Sequence, residues 1–231
     1  MAASRRLTET ADPFVHLSYS QDGEDMILRR IFEGEKPGFY VDIGAHHPRR
    51  FSNTFHFHRQ GWSGLNVDPN PDAIEAFGRE RPSDINVCVG VSDKAGSLVY
   101  HVFNEPALNT FDADLAAERA LLPHYHLVGK RDVPVRRLDD LLQERLPSGQ
   151  RIDFLSIDVE GLDLAVLRSN DWKRFRPRIV LAEARQRVAA ALANDPIHVF
   201  AESAGYQLIA KTVNTLIYED GSAVVATGSA V

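Results

Sequence analysis

Short apolar segments alternate with amphipathic helical segments along most of this chain, and this alternation limits the folds that it can adopt. Strand-like runs rich in β-branched and aromatic residues occupy residues 39–43, 65–67, 85–91, 154–159 and 179–182. Helix-like stretches occupy residues 71–77, 138–145, 162–168 and 196–203. Because parallel strands need a long crossover, usually a helix, the alternation predicts an α/β protein with a doubly wound parallel sheet. Two final strand-like runs, 206–210 and 215–218, predict an antiparallel pair.

Composition excludes several classes of protein. The 231 residues include 26 Lys and Arg against 32 Asp and Glu, a net charge of −6, which argues against a nucleic-acid-binding surface. Cys88 is the single cysteine, so intrachain disulfides and cysteine-rich metal modules are excluded. The sequence shows neither a signal-like apolar run nor about 18 unbroken apolar residues. These features predict a soluble, cytoplasmic protein without a transmembrane segment.

The length predicts one domain, with an N-terminal arm at residues 1–17 and a single domain over residues 18–231. Residues 97–133 interrupt the alternation with a strand-like run near their start and a helix-like run at 112–121. Insertions of this length are usually functional, so we expect a cap over the carboxyl edge of the sheet. Candidate substrate-binding residues in this cap are Asn109, His124 and His126. A surface excursion that packs its own small cluster is the alternative.

Acidic and small residues stand at the carboxyl ends of the predicted strands, where open α/β sheets bind ligands. The first strand is followed by Gly44 and Ala45 and carries Asp42 near its end. The second strand ends in Asp68, whose carboxylate could accept both hydrogen bonds of a ribose diol. Ser92 follows the third strand. Ordinary turns and helix caps also use these residue types, so each signal alone leaves a structural role open.

The fourth strand delivers two carboxylates, Asp158 and Glu160, to the same edge. An acid pair in a cleft is costly unless the acids are used or paired, which favours a functional role. Glu183 stands at the end of the fifth strand. Hard oxygen ligands of this kind suit a divalent cation, so a metal site that includes Asp158 and Glu183 is one alternative.

The order of these motifs resembles one family. The segments SQDGED at 20–25, VDIGA at 41–45, NVDPNP at 66–71, GVSD at 90–93 and IDVEG at 157–161 are similar to those of the FkbM-type S-adenosylmethionine-dependent methyltransferases. The resemblance implies a class I methyltransferase fold, Rossmann-like, with a seven-stranded, mostly parallel sheet whose last strand is antiparallel. It also implies methyl transfer from S-adenosylmethionine to a hydroxyl of a small molecule such as a sugar or a glycosylated metabolite.

The resemblance further implies roles for individual residues. The implied cofactor-binding set is Gln21, Asp42, Gly44, Ala45, His46, Asp68, Val91, Ser92 and Asp158. Within this set Asp68 would hold the ribose hydroxyls, Val91 and Ser92 would meet the adenine, and Asp158 would lie nearest the methyl group. His46, His47 and Pro48 stand where class I enzymes commonly have a further glycine, so this turn departs from the pattern.

Methyl transfer to a hydroxyl needs an aligned acceptor and a base. The candidate catalytic residues are Asp158, His47 and Glu160. A divalent cation that activates a vicinal diol is a second route. Two other functions stay open: an NAD-dependent oxidoreductase, against which no complete G-x-G-x-x-G motif is present, and a catalytically silent cofactor-binding scaffold of the same fold.

Overall fold

The computed structural model describes residues 14–184 and 189–222. The strands of this part of the chain are β1 (Phe39–Ile43), β2 (Ser63–Asp68), β3 (Ile85–Cys88), β4 (Gly90–Val91), β5 (Gly96–Phe103), β6 (Leu127–Arg136), β7 (Phe154–Ile157), β8 (Ile179–Glu183), β9 (Tyr206–Lys211) and β10 (Thr215–Asp220). The α-helices are α1 (Glu24–Ile31), α2 (Phe55–Arg59), α3 (Pro71–Glu80), α4 (Ala113–Arg119), α5 (Leu138–Arg145), α6 (Asp163–Arg168) and α7 (Pro196–Ser203). Short 3-10 helices occupy Pro106–Leu108 and Ala189–Asn194.

Seven strands form one sheet in the order β3-β2-β1-β7-β8-β10-β9. The first five strands in this order, β3, β2, β1, β7 and β8, pair in parallel. Strand β10 runs antiparallel to both β8 and β9. The predicted α/β fold, a mostly parallel seven-stranded sheet with an antiparallel last strand, is therefore confirmed. Because β1 has β2 on one side and β7 on the other, the strand order reverses there, and ligand crevices form at such points.

Separate apolar clusters cover the two faces of this sheet. Successive strand residues point to opposite faces, so neighbours in β1 enter different clusters. Tyr40 and Phe154 pack in the cluster that includes Leu28 of α1, whereas Val41 and Leu155 pack in the larger cluster with α5. All residues of β1 are buried. The strand ends that carry the predicted site residues therefore extend from a packed centre.

A second, three-stranded sheet has the order β4-β6-β5. Strand β6 pairs antiparallel with β5 and parallel with β4. The sequence predicts one strand and one helix in the cap, but it does not predict β6, which mixes charged residues and Pro134 with apolar ones and leaves several side chains exposed. The single run predicted at residues 85–91 is divided between β3 of the large sheet and β4 of the small one.

The start of the described chain is held by a buried carboxylate. Asp25 accepts hydrogen bonds from the Ser18 hydroxyl at 2.6 Å, the Tyr19 backbone N–H at 2.8 Å and the Ser20 hydroxyl at 2.8 Å. Most of the predicted arm at residues 1–17 lies outside the described residues, so the domain division stays a prediction. Across residues 14–184 and 189–222, no helix has the length and apolar character to cross a bilayer.

Arg81, which follows α3, is fully buried, with 0% of its surface exposed. Its guanidinium donates to the hydroxyls of Thr54 at 2.8 Å and Ser52 at 2.9 Å, and to the carbonyl of Pro48. The ring centroid of Phe55 lies 5.3 Å from the guanidinium carbon. Because all these partners lie between β1 and the first turn of α2, a single side chain fixes the course of this loop.

We expect Arg81→Lys to lower the free energy of unfolding by about 3 kcal/mol. An ammonium group lacks the planar fork of donors, so buried acceptors in the loop lose their partners. Arg79→Lys is the matched control, because Arg79 is exposed and pairs with Glu75 on the surface, and its effect should stay below about 0.5 kcal/mol. Urea unfolding measures both variants. Equal losses in the two would contradict the role of Arg81.

Candidate active site

A cleft opens at the carboxyl ends of β1, β2 and β7, beside the point where the strand order reverses. It holds about 770 Å³, part of it open to solvent. The predicted site residues that line it are Gln21, Asp42, Gly44, Ala45, His46, Asp68, Asn109, Asp158 and Glu160. Further lining residues are Phe51, Asn53, Pro69, Asn70, Tyr100, Pro106, Ala107, Ser156 and Val159.

The turns after β1 and β7 touch each other at the foot of the cleft. The Asp158 backbone N–H donates to the Ile43 carbonyl at 3.0 Å. Gly44 has a φ of 82°, and a Cβ at this position would overlap the Asp158 carbonyl oxygen. Only glycine satisfies both the left-handed backbone and this close approach. Gly44 therefore brings the residues of the first turn against the carboxylates that follow β7.

The Asp68 carboxylate is oriented by the backbone. One oxygen accepts the His46 N–H at 2.9 Å, and the other accepts the Asn70 N–H at 2.7 Å. The side chain is only 6% exposed, and burial raises the pKa of Asp68 to about 6. Each oxygen retains capacity for a second hydrogen bond, so the carboxylate can accept hydroxyl donors from the cleft.

Asp42 is held by a relay of hydrogen bonds that starts at Arg81. The Arg81 guanidinium donates to the Thr54 hydroxyl, which donates to an Asp42 carboxylate oxygen at 3.0 Å. Burial raises the pKa of Asp42 to about 6, although the positive charge of Arg81 opposes this shift. Next to Asp42, the Asn53 side-chain amide donates to the Ser156 hydroxyl at 3.0 Å, which joins the loop after β1 to β7.

Several residues around the cleft have strained backbone conformations. Non-glycine residues with positive φ include His46 at 54°, Phe51 at 55° and Glu160 at 55°, and all three line the cleft. This region of backbone space is unfavourable for residues with a Cβ, and such strain concentrates at functional sites. The strain supports a functional role for the cleft.

The two histidines of the first turn have different surroundings. His46 lines the cleft, and its Nε2 is buried and has no hydrogen-bond partner in the part of the chain that the structure describes. Burial lowers the pKa of His46 to about 4, so its imidazole is neutral at pH 7. His47 lies outside the cleft lining, and its Nδ1 accepts the backbone N–H groups of Arg49 and Arg50, each at 3.0 Å. His47 therefore stabilises the turn.

Asp158, Glu160 and Glu183 form a cluster in which one oxygen of each lies within 4.8 Å of the others. Desolvation, followed by the negative charges of Glu183 and Glu160, raises the pKa of Asp158 well above its usual range. The Asp158 side chain nevertheless remains accessible from the cleft. Glu160 forms an ion pair with Arg119 of α4. The spacing suits a divalent cation, which stays a prediction.

A second cavity, here called the chamber, adjoins the cleft. Both are lined by Gln21, Phe51, Asn53, Ala107, Asp158 and Glu160. The chamber extends to residues from distant parts of the chain, which are Asp22, Glu24, Arg50, Glu105, Leu108, Arg119, Tyr125, Glu183, Asn214 and Thr215. Asp158 and Glu160 therefore lie where the two cavities meet.

Five predicted site residues line neither cavity: His47, described above, and Val91, Ser92, His124 and His126. Val91 and Ser92 are buried in and next to β4 of the second sheet. His124 and His126 belong to the turn before β6, where the Asn104 side chain bonds the His124 carbonyl at 3.0 Å and the His126 N–H at 2.8 Å. The structure thus holds the histidines in a turn at the edge of the cap, and their role in substrate binding stays a prediction.

Sequence reasoning does not identify Phe51, Asn53, Tyr100 and Arg119, although all four line the cleft or the chamber. Phe51 and Asn53 follow the VDIGA motif within one loop, and that proximity is the one signal in the sequence. Tyr100 lies on a strand of the cap, and Arg119 lies on a cap helix. Because Tyr100 and Arg119 lie far from the motifs in the sequence, no local pattern identifies them as site residues.

Comparison with known proteins identifies the family. The profile of the FkbM methyltransferase domain matches residues 42–208, more than half of the chain. The chain belongs to the FkbM methyltransferase family. A stretch of 60 residues is 42% identical to the methyltransferase sdnD of Sordaria araneosa and covers 22% of this chain and 23% of that protein. A TehB-like SAM-dependent methyltransferase from Corynebacterium glutamicum aligns with a TM-score of 0.41 and 12% identity over 86% of this chain and 88% of its own.

Family membership implies S-adenosylmethionine as the methyl donor, and the cleft of this FkbM-family chain fits such a molecule. Asp68 offers a buried, oriented carboxylate of the kind that binds a ribose diol. Gly44 leaves the backbone open to close approach by a ligand. The buried His46 Nε2, unpartnered within the described residues, provides a hydrogen-bonding atom for a ligand.

We expect Gly44→Ala to destabilise the protein by more than about 3 kcal/mol, because the new methyl group would meet the Asp158 carbonyl on a backbone that disfavours a side chain. Gly78→Ala is the matched control. Gly78 lies at an exposed position of helix α3 with open space around it, so its replacement should stabilise the protein by about 0.5–1 kcal/mol. Thermal and urea unfolding measure both changes, and a tolerated Gly44→Ala would contradict the close approach.

We expect the affinity for S-adenosylhomocysteine, the demethylated product, to be about tenfold lower at pH 5 than at about pH 7.5. A carboxyl group with a pKa of about 6 is ionised above that pH and neutral below it, so acid removes the charge that would accept the ribose hydroxyls if Asp68 binds them. Asp68→Asn should weaken binding by about 1–3 kcal/mol at neutral pH and reduce the pH dependence. Calorimetry measures both.

The control for this experiment is Asp72→Asn, which alters an exposed carboxylate in the first turn of α3, near Asp68 in sequence. It should keep the affinity and pH dependence of the unmodified protein. If Asp68→Asn also retained the full pH dependence, another group would be responsible for it.

Proposed function

We propose that this chain transfers a methyl group from S-adenosylmethionine to a hydroxyl of a small polyhydroxylated molecule, a sugar or a glycosylated metabolite. The observation that carries the proposal is the junction of two cavities at Asp158. The cleft supplies groups that suit the donor, and the chamber opens directly from it. Such a junction lets two ligands meet at one carboxylate, which is what transfer between them requires.

The lining of the chamber supports a polyhydroxylated acceptor. Most of its residues carry side chains that donate or accept hydrogen bonds, among them Gln21, Asn53 and Asn214. Gln21 is placed at the cavity junction by the loop that Asp25 organises. Groups of this kind recognise hydroxyls, whereas an apolar acceptor would leave them without partners.

The chemistry needs alignment and a proton acceptor. The bound donor supplies an electrophilic methyl group on a sulfonium sulfur. Asp158 lies at the junction, and its raised pKa makes its carboxylate a stronger base than an ordinary aspartate. We assign to Asp158 the removal of the hydroxyl proton as the oxygen–methyl bond forms. The proton ends on the Asp158 carboxyl.

Glu160 and His47, the other predicted catalytic residues, are assigned positioning roles. Glu160 pairs with Arg119, and its carbonyl accepts the Thr110 hydroxyl at 2.7 Å, so it joins the cap to the loop that carries Asp158. His47 holds the first turn through its Nδ1. Both residues therefore act on the position of the groups around the reacting atoms.

Family membership favours a methyl donor over the nicotinamide cofactor of the alternative oxidoreductase. Calorimetry with S-adenosylhomocysteine and with NADH separates the two directly, and binding of NADH alone would overturn the proposal. The acceptor is sought by incubating the protein with labelled S-adenosylmethionine and an extract of small glycans and secondary metabolites. Label transfer excludes a silent scaffold. Loss of transfer with EDTA and its recovery with Mg²⁺ would assign a cation to the acid cluster.

With an acceptor identified, we expect Asp158→Asn to lower kcat by about 100-fold, because the amide cannot take the hydroxyl proton. The affinity for S-adenosylhomocysteine should change by less than about threefold, since the amide preserves the shape of the side chain. Asp114→Asn, on the exposed side of α4, is the control and should retain full kcat. Initial rates and calorimetry provide the two measurements. An unchanged kcat in Asp158→Asn would remove it as the base.

A further inference from the structure

The second sheet closes the cleft on the side where Val91 and Ser92 are expected to meet the adenine. Val91 and Ser92 are about as buried as Tyr100 and Asn109, but unlike those two residues they do not line the cleft. Phe111 of the cap packs against β4 at Gly90, because a Cβ on Gly90 would come within 2.8 Å of the Phe111 ring.

Tyr100 of β5 takes the position on the cleft side of Phe111. The two rings contact each other with centroids 4.7 Å apart, and the small exposed part of Tyr100 lines the cleft. Asn109 lines the cleft as well, beside Tyr100. Its own side-chain oxygen accepts the Phe103 N–H at 2.8 Å, which fixes the amide. Tyr100 and Asn109 thus form a polar wall that the fold holds in place.

Arg131 of β6 connects this wall to the loop that carries Asp68. Its guanidinium carbon lies 5.3 Å from the Tyr100 ring centroid, and it donates to the Pro69 carbonyl at 3.1 Å. The Arg131 Nε is buried and has no hydrogen-bond partner within the ranges that the structure describes. Tyr100 is therefore tied to the residue next to the carboxylate that suits the ribose.

We propose that Tyr100 and Asn109 contact the adenine of the methyl donor, in place of Val91 and Ser92. The inference rests on the proposed function, since it concerns the same donor. A purine edge carries both donors and acceptors. A tyrosine hydroxyl and a side-chain amide match it, because each can donate or accept according to the ring atom that it meets. The cap thereby contributes to donor binding as well as to the chamber.

The test uses two ligands that differ in the base. S-adenosylhomocysteine contains adenine, whereas S-ribosylhomocysteine has the ribose and the amino acid without it. Tyr100→Phe removes one hydroxyl and keeps the ring, so we expect it to weaken S-adenosylhomocysteine binding by about fivefold to tenfold. The affinity for S-ribosylhomocysteine, measured by competition, should change by less than about twofold.

Tyr206→Phe is the matched control. Tyr206 on β9 is buried to a similar degree and its hydroxyl donates to the Pro177 carbonyl at 2.7 Å, but it lies outside the cleft and the chamber. It should leave both affinities unchanged. Asn109→Asp keeps the acceptor for the Phe103 N–H and removes the amide donor, so it provides a second variant if Tyr100→Phe does not fold.

The outcomes separate the two proposals. A loss confined to the ligand with adenine supports the contact. Equal losses for both ligands, or no loss for either, overturn it. If the unmodified protein binds S-adenosylhomocysteine no better than NADH, the proposed function is wrong, whatever the effect of Tyr100→Phe.

Discussion

The hydrogen bonds of the buried Arg81 guanidinium hold the loop after β1, and both cavities depend on that loop. Through Thr54 these bonds reach Asp42 at the foot of the cleft. The same loop carries Phe51 and Asn53, which line the cleft and the chamber. A buried charge is tolerated only with a set of acceptors around it, so any other course of the loop would leave the guanidinium without them. The free-energy cost of burying the guanidinium without acceptors therefore favours this conformation of the loop.

The fold buries two carboxyl groups of the cleft in an environment that disfavours their charged forms. Burial raises the pKa of both Asp42 and Asp68 to about 6, so the folded chain favours their neutral forms. Below about pH 4, the pKa of an aspartate in the unfolded chain, this preference contributes fully to the free energy of unfolding. The contribution is lost as the pH rises through about 6. At neutral pH each ionised carboxylate therefore costs free energy of folding. Ligand hydroxyls that donate to Asp68 would recover part of that cost, which couples stability to occupancy of the cleft.

The sequence predicts the sheet because its buried strands are apolar and alternate with amphipathic helices. It also predicts Asp42, Asp68 and Asp158 at one edge, since parallel strands end on the same side. It does not predict β6, whose polar, exposed residues carry no strand pattern, and so it misses the second sheet. Without that sheet, nothing in the sequence indicates that Phe111 packs against β4 or that Tyr100 lines the cleft. Contacts between segments far apart in the chain leave no local signal, and Arg119 with Glu160 is another such case.

The N-terminal loop and the final hairpin meet at the chamber. The Thr212 hydroxyl, in the turn between β9 and β10, donates to a Glu24 carboxylate oxygen at 2.6 Å. Asn214 and Thr215 from the same hairpin line the chamber. One wall of the chamber therefore forms only when segments 188 residues apart in the chain have come together.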